Sequence, residues 1–156
     1  MIETDKVRSV LIPLQGEKLL MPNASVAEVV HYVAPEALAD APDWLLGQVS
    51  WREQSVPLVS FERLMGQPMD EQTSRQTRLA ICYTLNGNTE RPYVAILAAS
   101  RPRLVQVSDN NISPETEVRE LGGEVLRQVR VDGEAALIPD LDEVEDRVGI
   151  VLGGGS

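Results

Sequence analysis

LLGQVSWREQSVPLVSF, Leu45 to Phe61, sets two half-apolar runs on either side of Trp51-Arg52-Glu53-Gln54. Apolar residues at alternate positions turn one side of a strand inward and the other to water, so the stretch reads as a β-hairpin with WREQ near its tip. The pattern returns later in the chain. QVSWREQSVPLVSFERL, starting at Gln48, aligns without gaps to QVRVDGEAALIPDLDEV, starting at Gln128, 80 positions on. Val49 falls on Val129, Trp51 on Val131, Leu58 on Ile138 and Phe61 on Leu141. Upstream, LLMPNASVAEVVHY from Leu19 aligns to VAILAASRPRLVQV from Val94, pairing Leu20 with Ala95, Ser25 with Ser100 and Val29 with Leu104. Identities are few and the apolar pattern carries the match. Two β lobes of like topology are the economical explanation. The expected division is a single domain over 1–150, with a first lobe at 18–76, a second at 77–145 that also takes the N-terminal strand, and a flexible tail at 151–156.

Outside the hairpin, short runs of Val, Ile, Leu and Tyr are punctuated by Pro, Gly and Asn, and helical periodicity is scarce, which makes the chain mainly β. Further strands are expected near Val7 to Leu14, Lys18 to Pro22, Val26 to Tyr32, Leu79 to Leu85, Tyr93 to Leu97, Arg103 to Val107, Leu126 to Val131 and Glu134 to Ile138. Within the opening hairpin the strands are Gly47 to Trp51 and Val56 to Phe61. Asn86-Gly87 and Asp132-Gly133 are strong turn signals because both tolerate positive φ. Short helices are expected at Ala41 to Leu46 and Pro139 to Val144, whereas Ser25 to Val29 admits either a helix or a continuous strand. The polar stretch from Gln67 to Arg78 reads as an exposed connector between the lobes.

A chain of 156 residues with 43% hydrophobic content can bury a core of its own. No stretch approaches the roughly 20 apolar residues that span a bilayer, and the N-terminus lacks a secretion signal, so a cytoplasmic protein without membrane insertion is expected. The net charge of −10 repels a polyanion, and no basic run interleaved with aromatics offsets it, which argues against nucleic acid. Cys82 stands alone, with no Cys or clustered His for a metal, and neither metal nor cofactor is expected.

Val26, Glu28 and Val29, then a loop bearing Pro42, then Gly47-x-Val49-x-Trp51-Arg52, then Val56-Pro57-Leu58-Val59-x-Phe61 together resemble the CheW-like domain of bacterial chemosensory coupling proteins. YVAILAASRPRLVQV and LIPDLDEV resemble that family's second half, so the likeness spans almost the whole chain. It implies two small five-stranded β-barrel lobes packed together with short helices. It also implies a non-catalytic adaptor that bridges the cytoplasmic tip of a chemoreceptor to the regulatory domain of a histidine kinase, in arrays that include other CheW-like adaptors. The chain as a whole resembles the accessory type of a pilus-motility cluster, which points to twitching motility. Two positions depart from the family pattern. Glu53 stands where Gly usually follows the Arg, and Ser60 replaces an acidic residue.

The repeat places Arg52 and Glu53 at a tip that the second lobe builds from Asp132-Gly133. A turn alone calls for Gly or Asn, whereas an Arg brings a rigid fork of donors suited to carboxylates and carbonyls. Arg52 is therefore read as a partner contact, against the plainer reading of a solubilising tip residue. The resemblance adds Gly47, Glu28, Val26 and Glu53 to the candidate partner-binding set. Gly47 admits two readings, close backbone approach by a helix or a simple end to DWLL. Trp51, with apolar counterparts in the repeat, reads as core, and Trp44 as either an exposed anchor or a lobe-packing residue. An uncharacterised hydrolase or a small β-barrel ligand-binding module is the rival. His31 lies in an apolar strand, Cys82 reads as a buried hydrophobe, Asp140 and Asp142 as a solvated helix start, and aromatics make up only 4% of the chain.

Overall fold

In a computed structural model of the chain, residues 6–84 and 92–153 are described. The elements are β1 (Val7–Pro13), β2 (Lys18–Pro22), β3 (Val26–His31), β4 (Leu45–Trp51), β5 (Gln54–Val59), α1 (Phe61–Leu64), β6 (Arg78–Tyr83), β7 (Tyr93–Ala98), β8 (Arg103–Val107), β9 (Ile112–Pro114), β10 (Val125–Val131), β11 (Glu134–Pro139) and α2 (Leu141–Leu152). They form a six-stranded sheet, β8-β1-β2-β11-β10-β9, and a five-stranded sheet, β3-β6-β7-β5-β4. The sixth strand of the larger sheet, β9, is a three-residue addition the sequence did not announce.

Strands β1, β2, β6 and β7 are apolar on both sides because each side faces a different core. Val10, Ile12, Leu19 and Met21 meet Ala80, Cys82, Val94 and Ile96 in a core shared by the two sheets, closed by Phe61, Val144 and Val148 from the helices. The alternate residues turn into the lobes. Leu11 and Leu20 join Val129, Val131 and Ala136 in one, while Leu79, Ile81 and Ala95 join Val49, Trp51, Val56 and Leu58 in the other. A period of two with no polar side is what burial on both faces requires.

The repeat is structural. The β4–β5 hairpin carries a bulge between Leu45 and Gly47, and β10–β11 carries one between Val125 and Arg127, 80 positions on. Ser60 N–H donates to Trp44 O at 2.8 Å and Asp140 N–H donates to Glu124 O at 2.8 Å. Parallel pairs β5–β7 and β11–β2 occupy equivalent places. The sheets nevertheless cross the boundary expected at residue 76, since β2 belongs with β10 and β11, and β4 and β5 belong with β6 and β7. Each half of the chain lends strands to both lobes, with the shared core between them.

Several local expectations change. The run ending at Phe61 is strand only to Val59, because Ser60 Oγ accepts from Arg63 N–H at 3.3 Å and starts α1. Ser60 thus does the capping work of Asp140, whose Oδ1 accepts from Glu143 N–H at 3.2 Å, and its departure from the acidic pattern leaves the helix start intact. α2 begins after Pro139 and runs on to Leu152, held by Val144 and Val148 in the core. Where a helix was expected over Ala41 to Leu46, a turn at Asp43–Trp44 leads into β4 at Leu45, whose N–H donates to Pro42 O. Asn23–Ser25 is a 3₁₀ turn, after which β3 begins. The Asn86-Gly87 turn lies outside the described residues. The connector is tied to the body of the protein, where Gln15 donates to Asp70 O at 2.7 Å and accepts from Asp70 N–H at 2.8 Å and Arg63 Nη2 pairs with Glu71 Oε1 at 3.0 Å, and its last residues, Thr77 and Arg78, are buried.

Candidate functional site

The five-stranded sheet has β3 and β4 at its opposite edges, yet Trp51 Nε1–H on β4 donates to Glu28 Oε1 on β3 at 2.9 Å. The sheet therefore curls until its edges meet, and side chains close the seam. A bulge between Val26 and Glu28 re-aims β3 here. Val26 packs against the core shared by the sheets while Glu28 is exposed, so the two candidates do not present one common face.

Arg52 continues the seam outward. Its guanidinium lies over the Trp51 ring, Cζ to centroid 4.6 Å, and its Nη2 is 3.4 Å from the same Glu28 Oε1. Its side chain is 68% exposed, so this pair leaves most of the donor fork to solvent. Exposure also limits the pair's contribution to folding, which is on the order of 0–1 kcal/mol. Beneath it, the Trp51 and Tyr93 rings pack edge to face at 4.8 Å, and Tyr93 meets Tyr83 at 5.5 Å across β6–β7. Trp51 is core, as read from the repeat, and is also the residue that joins Glu28 to Arg52. The two tyrosines were missed because their relation to Trp51 depends on strand pairing between distant segments. An indole N–H in a strand interior needing an acceptor was the available signal.

The tip itself is left-handed. Arg52 and Glu53 have φ of 47° and 64°, against 51° and 82° for Asp132 and Gly133. Both hairpins thus turn through two consecutive positive φ values, the geometry of a two-residue type I′ connection. Glu53 keeps the turn that Gly would make more easily, and the loop is not reshaped.

Gly47 is covered by the chain itself. Glu36 N–H donates to Gln48 O at 2.8 Å and Gln48 N–H to Glu36 O at 2.9 Å, which lays the 34–36 segment across β4. A Cβ on Gly47 would lie 2.3 Å from Glu36 O, and its φ of 144° is one that side chains rarely adopt. The backbone that comes close to Gly47 is thus the protein's own 34–36 segment, and not a helix as the first of the two readings had it. Trp44 packs against the shared core and is a lobe-packing residue.

The groups considered for catalysis are dispersed. His31 is exposed on the edge strand β3 rather than held in an apolar interior. Cys82 is fully buried, and that burial pushes its thiol up to about 12. Asp140 caps α2 and Asp142 lies in its first turn. A groove of about 710 Å³ opens in the other lobe, but the charges along it pair with one another, Arg119 with Glu17 at 2.6 Å and Arg130 with Glu115 at 3.1 Å. Among the described residues no group of three or more His, Cys, Asp or Glu could hold a metal ion. No helix among them is long and apolar enough to cross a membrane.

Comparison with curated proteins finds no match. Among solved structures, the crystal structure of scaffolding protein TtCheW from Thermoanaerobacter tengcongensis superposes with a TM-score of 0.72 at 17% identity, covering 88% of this chain and 90% of that one. At that identity the likeness establishes the fold, two β lobes with short helices. The family-level match is to the CheW-like domain and covers residues 8–148. With the motif around Arg52, the doubled hairpin and nearly the full length accounted for, the chain belongs to the CheW-like domain family.

Proposed function

We propose that the protein is a non-catalytic chemosensory coupling protein that holds the cytoplasmic tip of a chemoreceptor against the regulatory domain of a histidine kinase. The observation that carries the reading is the Glu28–Arg52 pair, mounted on Trp51 at the exposed closing seam of one lobe in a member of the CheW-like family. An exposed pair between a left-handed tip and the neighbouring edge strand contributes little to the fold, and most of the Arg52 donor fork is open to a partner. Glu53 lies on the same tip. Gly47 acts by seating the 34–36 segment, and Val26 by anchoring β3. Scaffolding then works through several modest contacts that reinforce one another in a cytoplasmic array, with other CheW-like adaptors as further neighbours. The output in pilus-driven twitching motility rests on overall sequence likeness.

The test is reconstitution. Phosphorylation by the kinase, with receptor signalling fragments present, should change on addition of the protein, and each pair of components alone should show no such change. Unchanged rates in the complete mixture would overturn the proposal, as would ester, phosphate or glycoside hydrolysis by the purified protein that disappears in His31→Ala.

A further inference from the structure

We infer that Trp51 is the positioning residue of the partner site, fixing Glu28 and Arg52 into one two-part recognition element; the inference rests on the proposed receptor contact. The indole engages both charged groups with different parts of its surface. Its N–H donates to Glu28 Oε1 at 2.9 Å and its ring face carries the Arg52 guanidinium at 4.6 Å. Opposite charges on long side chains sample many geometries at a surface, and a bare pair would gain little from meeting. Here one rigid group restrains both, and it is itself 8% exposed and braced edge to face by Tyr93 at 4.8 Å.

The sister lobe shows that the fold does not require this arrangement. At the position matching Trp51 it has Val131, which fills the same place in its lobe's interior, and its tip reaches the same positive φ values with Asp132 and Gly133. A barrel of this topology therefore closes without an indole. What the indole adds is the joined charges. Among the described residues both bonds to Glu28 fall on Oε1, which leaves Oε2 for an incoming donor. The element thus presents an acceptor beside a cationic fork. It suits a partner surface that offers a hydrogen-bond donor next to a carboxylate or carbonyl, and a single carboxamide side chain is the smallest group that supplies both.

Two measurements on the full-length protein test this. In the free protein, Glu28→Ala should move the Trp51 indole N–H cross-peak in a ¹H–¹⁵N spectrum and leave that of Trp44 in place; an unmoved Trp51 peak overturns the inference. For binding to a receptor signalling fragment, Trp51→Phe keeps a ring on Tyr93 and loses the N–H, and should weaken binding about tenfold or more, in keeping with loss of one charge-assisted hydrogen bond. In a Glu28→Ala background the same substitution should cost nothing further, because the two residues act as one unit. Additive losses, or full-strength binding by Trp51→Phe while Arg52→Glu binds poorly, would remove Trp51 from the site and leave the receptor contact standing. Full-strength binding by both Trp51→Phe and Arg52→Glu would defeat the receptor contact and this inference with it.

Discussion

Replacing Gly47 by Ala separates a residue that touches a partner from one that holds the fold. The added Cβ would stand 2.3 Å from Glu36 O and 2.9 Å from Glu36 C, both backbone atoms that no side-chain rotation can move. Relief requires the 34–36 segment to lift, which breaks the paired bonds of 2.8 and 2.9 Å between Glu36 and Gln48. Two backbone hydrogen bonds are worth about 1 kcal/mol each, and holding an L-residue at positive φ adds about 1–2 kcal/mol. Gly47→Ala should therefore destabilise by about 3–4 kcal/mol, which lowers Tm by about 6–16 °C for a chain of this length. Urea and thermal unfolding give the magnitude, and hydrogen exchange at the Glu36 and Gln48 amides gives the location. A variant within about 0.5 kcal/mol of the parent, with both amides as protected as before, would refute the assignment of this glycine to the loop contact.

Glu53→Gly should stabilise by about 1 kcal/mol and raise Tm by about 3 °C, since Glu53 holds a φ of 64° that favours glycine; an unchanged or lower Tm would show that the tip carries no such strain. Cys82, with 0% of its surface exposed, should react with thiol reagents far more slowly in the native protein than in urea, and equal rates would contradict its place in the shared core. The same burial sets a pH dependence. The unfolded thiol ionises near the ordinary 9.0 and the folded one near about 12, so the unfolded state loses its proton first, and stability, full below 9.0, falls as pH rises towards about 12. Between pH 8 and pH 10 the parent should lose about 1 kcal/mol more than Cys82→Ala, and parallel losses in urea titrations would show that this thiol is not the source.

The strands, the doubled hairpin and the Arg52-Glu53 tip were legible because each rests on local signals, an apolar period of two and turn chemistry compared between two copies. The interleaving of the halves was not. Pairing β2 with β11, or β5 with β7, joins segments far apart in the chain, and nothing in KLLMP or VPLVSF names its neighbour. α1 was hidden because Val56 to Phe61 is apolar to its end, and only the contact of Ser60 with Arg63 N–H shows where the strand stops. Of the candidate site, Arg52 and Glu28 were named separately. Their junction at Trp51 depends on the curl of the sheet and on the β3 bulge, which sets Glu28 apart from Val26. At Gly47 the sequence suggested approach by a helix, whereas the chain that comes close is its own 34–36 segment, brought there by tertiary pairing.

Charge reversal at the two tips bears most directly on the claim that the five-stranded lobe carries the partner contact. Arg52→Glu removes the cation from the Trp51 ring and sets a second carboxylate near Glu28, at a side chain 68% exposed, so stability should change by less than about 1 kcal/mol. Asp132→Lys reverses charge at the matching tip of the other lobe, where φ is 51°. With thermal unfolding confirming that both variants fold, Arg52→Glu should bind the receptor fragment or the kinase at least thirtyfold more weakly, about 2 kcal/mol, while Asp132→Lys binds nearly as the parent does. Equal affinities for the two variants would contradict the account and leave WREQ an ordinary hairpin.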